Sequence, residues 1–244
     1  MSVNNIVKSM WIKPVIGDLQ ILCINSFIAN GLEFHLYTYC EITNVPEGVK
    51  IMDANEILDR SLIFKDNRDS YATFSDWFRI KLLYEAGGWW VDCDVLFVKK
   101  FTFKAKYVFA TESYMFNGVR QFRICNAVLK MPMKSILGEK ILLRIKERIN
   151  YGLVTNIPWT EIGAGFLADE IFKAKLDDYI VIPEVFCPSD YDNYKQLSLS
   201  GNFKFDERTY AVHLWNQMWK WNNIKPLDFA LDDSLLGVAK SKFS

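Results

Sequence analysis

Hydrophobic positions along this chain fall into short blocks whose spacing switches between the strand period and the helix period. Ile6 to Ile12 predicts a first strand, closed by Pro14 and Gly17. Asp18 is placed to cap a helix running through Leu19, Leu22, Cys23, Ser26 and Phe27 to Asn30, with Gly31 as its stop. Glu33 to Tyr39 predicts a second strand, in which His35 is structural. Val49 to Met52 predicts a third after the Pro46-Glu47-Gly48 turn, followed by a short helix around Ala54 to Leu58. Arg60 to Thr73 is polar and unpatterned, the composition either of a mobile flap or of an inert connection.

The next block, SDWFRIKLLYEAGGWWVDCDVLFV from Ser75 to Val98, is the most structured stretch in the sequence. Ser75 predicts an N-cap, with Asp76 in a first turn where the helix dipole favours negative charge. Trp77, Phe78, Ile80, Leu82, Leu83 and Tyr84 make this helix apolar nearly all round, so it should be buried. Gly87 and Gly88 end it, and Trp89 to Val98 predicts a strand that is apolar except at Asp92 and Asp94. Further on, Tyr107 to Ala110 and Phe122 to Leu129 read as strands, and Met131-Pro132 breaks the chain. Ser135 to Ile149 reads as an amphipathic helix with Ile136, Leu137, Ile141, Leu142 and Ile145 inward. A helix through Phe172 follows Trp159 to Gly165, and Arg208 to Trp215 predicts a late strand. With no internal repeat or linker, the expectation is one α/β domain over residues 1–244, with a Rossmann-like sheet in its first hundred residues.

Composition narrows the class. The chain has 244 residues, half of them hydrophobic, enough for one substantial core. Its 29 basic and 29 acidic residues balance, which removes the electrostatic case for nucleic acid. No apolar run approaches the ~20 residues that span a bilayer, and the N-terminus lacks a signal-peptide hydrophobic region. The 5 cysteines (Cys23, Cys40, Cys93, Cys125 and Cys187) are odd in number, scattered and free of any C-x-x-C pair. They read as reduced thiols of a cytoplasmic protein, not as a zinc site or disulfide framework. Lys99, Lys100, Lys104 and Lys106 alternate with Phe101, Phe103 and Tyr107, a pattern of a solvated hairpin face or of peripheral contact with the inner face of a membrane.

Chemistry concentrates at Asp92 and Asp94. On a strand these carboxylates would share a face, with Cα atoms roughly 7 Å apart. Two like charges at the end of an apolar strand need a cation, and Mn²⁺ or Mg²⁺ with oxygen ligands is the natural one. Asp76 and Arg79 lie three apart on a helical face and can act together beside that ion. Asp190-Tyr191-Asp192 repeats the acidic spacing but sits among Pro188, Ser189 and Asn193, so it reads as a turn. His213, at a predicted strand end, is one of 2 histidines and a competent metal ligand.

The extended string S-D-x-x-R-x-x-L-L-Y-x-x-G-G-x-x-x-D-x-D resembles the sugar-nucleotide-binding region of the DXD glycosyltransferases grouped with yeast α-mannosyltransferases and bacterial α-1,4-glycosyltransferases. The glucosylating clostridial toxins share its Asp-x-x-Arg and Asp-x-Asp spacing. SFIANGLEFHLYTY with PEGVKIMDANEIL resembles the N-terminal half of bacterial members, and A-x-H-L-W-N at Ala211 to Asn216 a later segment. The resemblance implies a single-domain GT-A fold, with residues 1–100 as the nucleotide-binding half and 101–244 as the acceptor half and closing segment. It implies metal-dependent, retaining transfer of a hexose or N-acetylhexosamine from UDP-galactose, UDP-glucose or a UDP-N-acetylhexosamine to a glycan or glycolipid. Asp94 would then ligate the ion, with Asp92 reaching it through water or holding the ribose, and His213 completing the metal site. Asp76 and Arg79 would grip the donor sugar, with Asn126 as a further sugar contact. Trp11 would stack on the base, unless it is an ordinary core tryptophan. Gly163 would approach the diphosphate, although Ala164 replaces the family's proline and Thr160 is displaced; Asn216 would offer an amide oxygen. Transfer would proceed on the front face with the leaving phosphate as base, leaving Glu161 and Asp169 without a role.

Two other classes fit parts of the pattern. W-W-V-D-C-D-V-L-F resembles the motif of haloacid-dehalogenase-type phosphatases, in which Asp92 would be the nucleophile. A non-catalytic sugar-nucleotide-binding relic would keep the pocket without the reaction.

Overall fold

The computed structural model describes residues 5–149, 157–159, 161–201 and 203–244. β1 (Ile6–Trp11), α1 (Asp18–Ile28), β2 (Glu33–Thr38) and β3 (Val49–Asp53) come first, then α2 (Ala72–Ala86), β4 (Gly88–Val91) and β5 (Val95–Phe97). A hairpin of β6 (Val108–Phe116) and β7 (Val119–Met131) precedes α3 (Ile136–Arg148) and α4 (Ala164–Lys173). The chain continues through α5 (Gln196–Leu199), β8 (Ala211–His213), α6 (Asn216–Trp221) and α7 (Leu235–Phe243).

The central sheet has 6 strands in the order β3-β2-β1-β4-β7-β6. β1 to β4 are mutually parallel where they pair, and β7 joins β4 and β6 antiparallel. Helices cover both faces, as the apolar strands require. Strand alternation sends adjacent residues to opposite sides: Val7, Leu36, Trp89 and Val128 pack towards α1 and α7, whereas Met10, Tyr37, Trp90 and Leu129 pack towards α2, α3 and α4. The order reverses between β1 and β4, so the crevice at their C-terminal ends is where an α/β sheet binds ligands.

Several sequence expectations shift. The strand expected over Trp89 to Val98 is two strands. β4 stops at Val91, residues 92–94 turn, with the Val95 N–H donating to the Asp92 carbonyl at 3.1 Å, and β5 leaves to pair antiparallel with β8. Ser75 does not cap α2, which begins a turn earlier where the Ser70 hydroxyl accepts from the Ala72 N–H. Ser75 instead holds Arg79, through its carbonyl at 3.3 Å and its hydroxyl at 3.2 Å. Asp18 lies in the first turn of α1 while Gly17 occupies the cap. Ile136, placed inward by periodicity, is 70% exposed because α3 is only starting there; Leu137, Ile141 and Ile145 face the core. The Lys99 to Tyr107 run is irregular and not a hairpin face, with Phe101 buried against Trp89 and Phe186. The late strand shrinks to Ala211–His213. Thr160 lies outside the described residues.

Gly87 is the backbone hinge between α2 and β4. Its φ is +58°, and a Cβ there would sit 2.6 Å from the Met133 nitrogen; its carbonyl accepts from the buried Lys8 ammonium at 2.8 Å. Gly87→Ala should therefore lower stability by about 1–3 kcal/mol, read as a shift in the urea unfolding midpoint with unchanged slope.

Candidate active site

Two cavities of about 460 and 430 Å³ open at the C-terminal ends of β1 and β4 and share Ala72, Arg79, Asp92, Asp94 and Gln217. Each is of the size that holds a small ligand. One runs past Trp11, Lys13 and Lys220, under the Lys65–Tyr71 loop. The other contains Asp76, Asn126, Gly163, His213 and Trp215. The acidic turn thus stands where they meet.

Asp92 and Asp94 converge through the turn and its partners, not through strand alternation. The Asp92 N–H donates to the Ala127 carbonyl at 2.8 Å, prolonging the β4–β7 pairing by one residue. Its Oδ1 accepts from Trp90 Nε1 at 2.7 Å and faces Arg79 Nη1 at 3.1 Å. The Asp94 carbonyl accepts from the Leu214 N–H at 2.9 Å, and its Oδ2 accepts from the Asn216 N–H at 2.8 Å. His213 Nε2 lies 3.6 Å from that same oxygen. Ligand atoms of Asp92, Asp94 and His213 all fall within 4.8 Å of one another. Two hard oxygens and one imidazole nitrogen at that spacing fit a divalent ion of the Mn²⁺ or Mg²⁺ kind.

Arg79 ties the acidic turn to α2. Buried between the layers, its guanidinium reaches Asp76 Oδ1 at 3.2 Å, Asp92 and the Asn126 carbonyl, and lies over the Trp90 ring at 5.1 Å. Asn126 Nδ2 donates to Asp76 Oδ1 at 2.7 Å. Burial pushes the Asp76 carboxyl up to about 7, against the pull of Arg79. Asp92 is likewise raised by burial, which outweighs Arg79. Burial also acts to raise Asp94, but His213 and the Asn216 N–H outweigh it and hold it below the usual carboxylate range. His213 moves the other way: burial alone would lower it, and the Asp94 charge beside it carries it well above its ordinary value.

The structure brings together most residues expected from sequence. Trp11 is half-buried on the wall of its cavity, with its indole N–H donating to the Val15 carbonyl at 3.0 Å. Gly163 is the N-cap residue of α4 and lines the opposite cavity with Ala164 and Gly165. Asn216 meets the acidic pair through its backbone N–H, not its amide oxygen. His35 is structural, 3.3 Å from Glu33. Neither Glu161 nor Asp169 lines either cavity; Glu161 pairs with Arg148. Sequence reasoning missed Glu112, Arg123, Cys125, Trp215 and Arg68. Glu112 accepts from Arg123 Nε and from Trp215 Nε1, each at 2.7 Å. Trp215 adopts φ +46°, an uncommon conformation for a bulky residue, as its indole turns into the site. One local feature would have found the first pair. Asn117-Gly118, both at positive φ, forms the hairpin turn, and counting outward from it sets Glu112 opposite Arg123.

The model of a capsular polysaccharide synthesis protein family matches residues 56–131, a stretch short of half the chain that contains α2 and the acidic turn. The solved PaToxG glycosyltransferase superposes on 71% of this chain and 70% of its own with a TM-score of 0.50 at 16% identity. The fold is therefore of the GT-A-like mixed α/β kind. Two weaker likenesses are to the apo-form glycosyltransferase GlyE of Streptococcus pneumoniae TIGR4 (TM-score 0.46, 13% identity, 97% of this chain and 63% of that one) and to a transferase mutant (0.45, 9%, 73% and 87%). Comparison with curated proteins gives no match.

The sign of the Asp76 shift makes a test. A carboxyl held at about 7 in the fold and near 3.8 when unfolded contributes stability fully below about pH 4 and loses it as pH rises through about 7. Asp76→Asn, which mimics the protonated acid, should remove that slope. Urea unfolding of metal-free protein should show wild type losing about 3–4 kcal/mol more than the variant between about pH 4 and pH 8.

Proposed function

We propose that the protein is a glycosyltransferase that moves a hexose or N-acetylhexosamine from a UDP-linked donor to a glycan or glycolipid, retaining anomeric configuration, with Mn²⁺ or Mg²⁺. The observation that carries this reading is the convergence of Asp92, Asp94 and His213 at the junction of two cavities, one ending at an aromatic wall and the other at a buried Asp–Arg–Asn cluster. The match to a capsular polysaccharide synthesis family and the shared fold support the same class.

In this reading the nucleotide lies along the Trp11 side, with its base against the indole. Lys13 and Lys220 line that cavity, and burial, then the neighbouring Lys13, lower the Lys220 ammonium, which suits the pair to a diphosphate anion. Asp92 and Asp94 hold the ion, while His213 Nε2 stands beside Asp94 as a further ligand or as a hydrogen-bond donor to it. The ion would supply Lewis-acid stabilisation of the departing diphosphate. Asp76, Arg79 and Asn126 orient the sugar hydroxyls, their positions already set by mutual hydrogen bonds. The C1–O bond to the diphosphate breaks, the acceptor oxygen bonds C1 on the same face, and the acceptor proton passes to the leaving phosphate oxygen. Gly163 at the start of α4 and the Trp159–Trp221 pair, 5.5 Å apart, form the wall of the acceptor side. Residues 1–100 thus serve the donor, joined there by Asn126, His213 and Lys220 from the second half, whose Trp159, Gly163 and Trp221 face the acceptor. Among the described residues no helix is long and apolar enough to cross a membrane.

The phosphatase reading fits less well. In that class the motif leads from its strand into a helix, whereas here it leads into a turn and a second sheet.

Asp94→Ala should reduce metal-dependent turnover of a UDP-sugar by at least about 10²–10³-fold while the circular dichroism spectrum stays native. Wild-type turnover in that variant would refute the assignment, and loss of turnover in wild type itself would mark a binding relic. Melting curves with a panel of nucleotide sugars and Mn²⁺ should show UDP-sugars raising Tm more than GDP-mannose.

A further inference from the structure

Behind the acidic turn lies a second cluster of ligating groups, of which the proposed transfer uses His213 alone. Glu112, Cys125 and Cys187 are buried and the His213 side chain is 12% exposed, and one ligand atom from each lies within 4.8 Å of the other three. Both cysteines are free thiols. We propose that these residues bind a borderline-soft divalent cation, zinc above all, at a site separate from the acidic pair.

The donor set is that of zinc: two sulfurs, one imidazole nitrogen and one carboxylate oxygen. Cys125 Sγ lies 3.8 Å from His213 Nδ1. A thiolate and an imidazole on one tetrahedral zinc, at ~2.3 and ~2.0–2.1 Å, stand ~3.6 Å apart. Backbone bonds hold each ligand in place. Glu112 and Cys125 sit on paired strands β6 and β7. The Cys187 N–H donates to the Pro183 carbonyl at 2.6 Å, and the Phe186 carbonyl accepts from the His213 N–H at 2.9 Å, which fastens the Cys187 segment to β8. Charge is balanced as well. Two thiolates and a carboxylate around a dication leave one net negative charge, and the Arg123 guanidinium lies 2.7 Å from Glu112.

The two sites share one imidazole. A histidine that binds metal through one ring nitrogen commonly donates its other N–H to a carboxylate. With Nδ1 on the thiol-side metal, Nε2 carries the proton and points at Asp94, 3.6 Å away. Zinc at the thiol site therefore makes His213 a donor that orients Asp94, and the ion at Asp92 and Asp94 then takes no nitrogen ligand. The absence of a C-x-x-C spacing in the sequence did not exclude such a site, because four separate segments build it.

The test is metal content and ligation, which do not depend on transferase activity. Full-length protein expressed with zinc and purified without chelator under nitrogen should carry about one zinc per chain, released when the thiols are blocked. Cobalt(II) exchanged into the same protein should show a thiolate charge-transfer band and the intense visible spectrum of a tetrahedral ion. Cys187→Ser should abolish both, Glu112→Gln should weaken zinc by about 10–100-fold, and an Asp92→Asn/Asp94→Asn double variant should keep zinc at full occupancy. If the cysteine variant fails to fold, the cobalt spectrum of the wild type decides alone. A wild-type protein with no zinc and free thiols, a Cys125–Cys187 disulfide, cobalt bound without the charge-transfer band, or zinc lost with the acidic pair would each overturn the proposal.

Discussion

Negative charge gathered at the end of an apolar strand is the constraint to which the rest of this structure answers. β4 is buried along its whole length, yet it delivers the chain to Asp92 and Asp94 beside a buried Asp76. Uncompensated carboxylates in that setting are costly. Arg79 answers part of the charge by bridging Asp76 and Asp92, and Ser75, Asn126 and the Trp90 ring hold Arg79 in turn. Asp94 is answered by His213 and by the N–H at the start of α6. Asp92 nevertheless stays raised by its burial, a deficit of positive charge that a divalent ion between the two carboxylates would remove.

The two-sheet construction follows from the same place. If β4 had run on to Val98, as its apolar residues suggest, Asp94 would have followed Asp92 into the pairing with β7. Turning at 92–94 and handing Val95–Phe97 to β8 brings His213 and Asn216 back onto the acidic pair, and Trp215 onto Glu112, from the far end of the chain. The turn therefore joins two cavities where a continuous strand would have separated them.

Much of this was legible in the sequence. The alternation of β1, α1, β2 and β3 follows from period and from Gly and Pro punctuation, and Asp76, Arg79, Asp92 and Asp94 fall within one recognisable string. Illegible were the events set by tertiary pairing. Nothing in WWVDCDVLFV says that the strand changes sheet, because Val95 to Phe97 is apolar in either setting. Ser75 looked like a cap because its local residues fit one, whereas Ser70 and Asp66, further upstream, organise the helix start. Glu112, Cys125, Cys187 and His213 have no shared local pattern, and only the Asn117-Gly118 hairpin register pointed to any pair among their neighbours.

The central claim is that a cation on Asp92 and Asp94 clamps the pyrophosphate of a nucleotide. Calorimetric titration of UDP into wild type and into the Asp92→Asn/Asp94→Asn variant, each with Mn²⁺ and with chelator, tests it most directly. The account predicts that chelation weakens UDP binding to wild type by at least about tenfold, some 1.4 kcal/mol, while the variant binds equally weakly in both conditions. UDP affinity in wild type that is indifferent to the metal would contradict it.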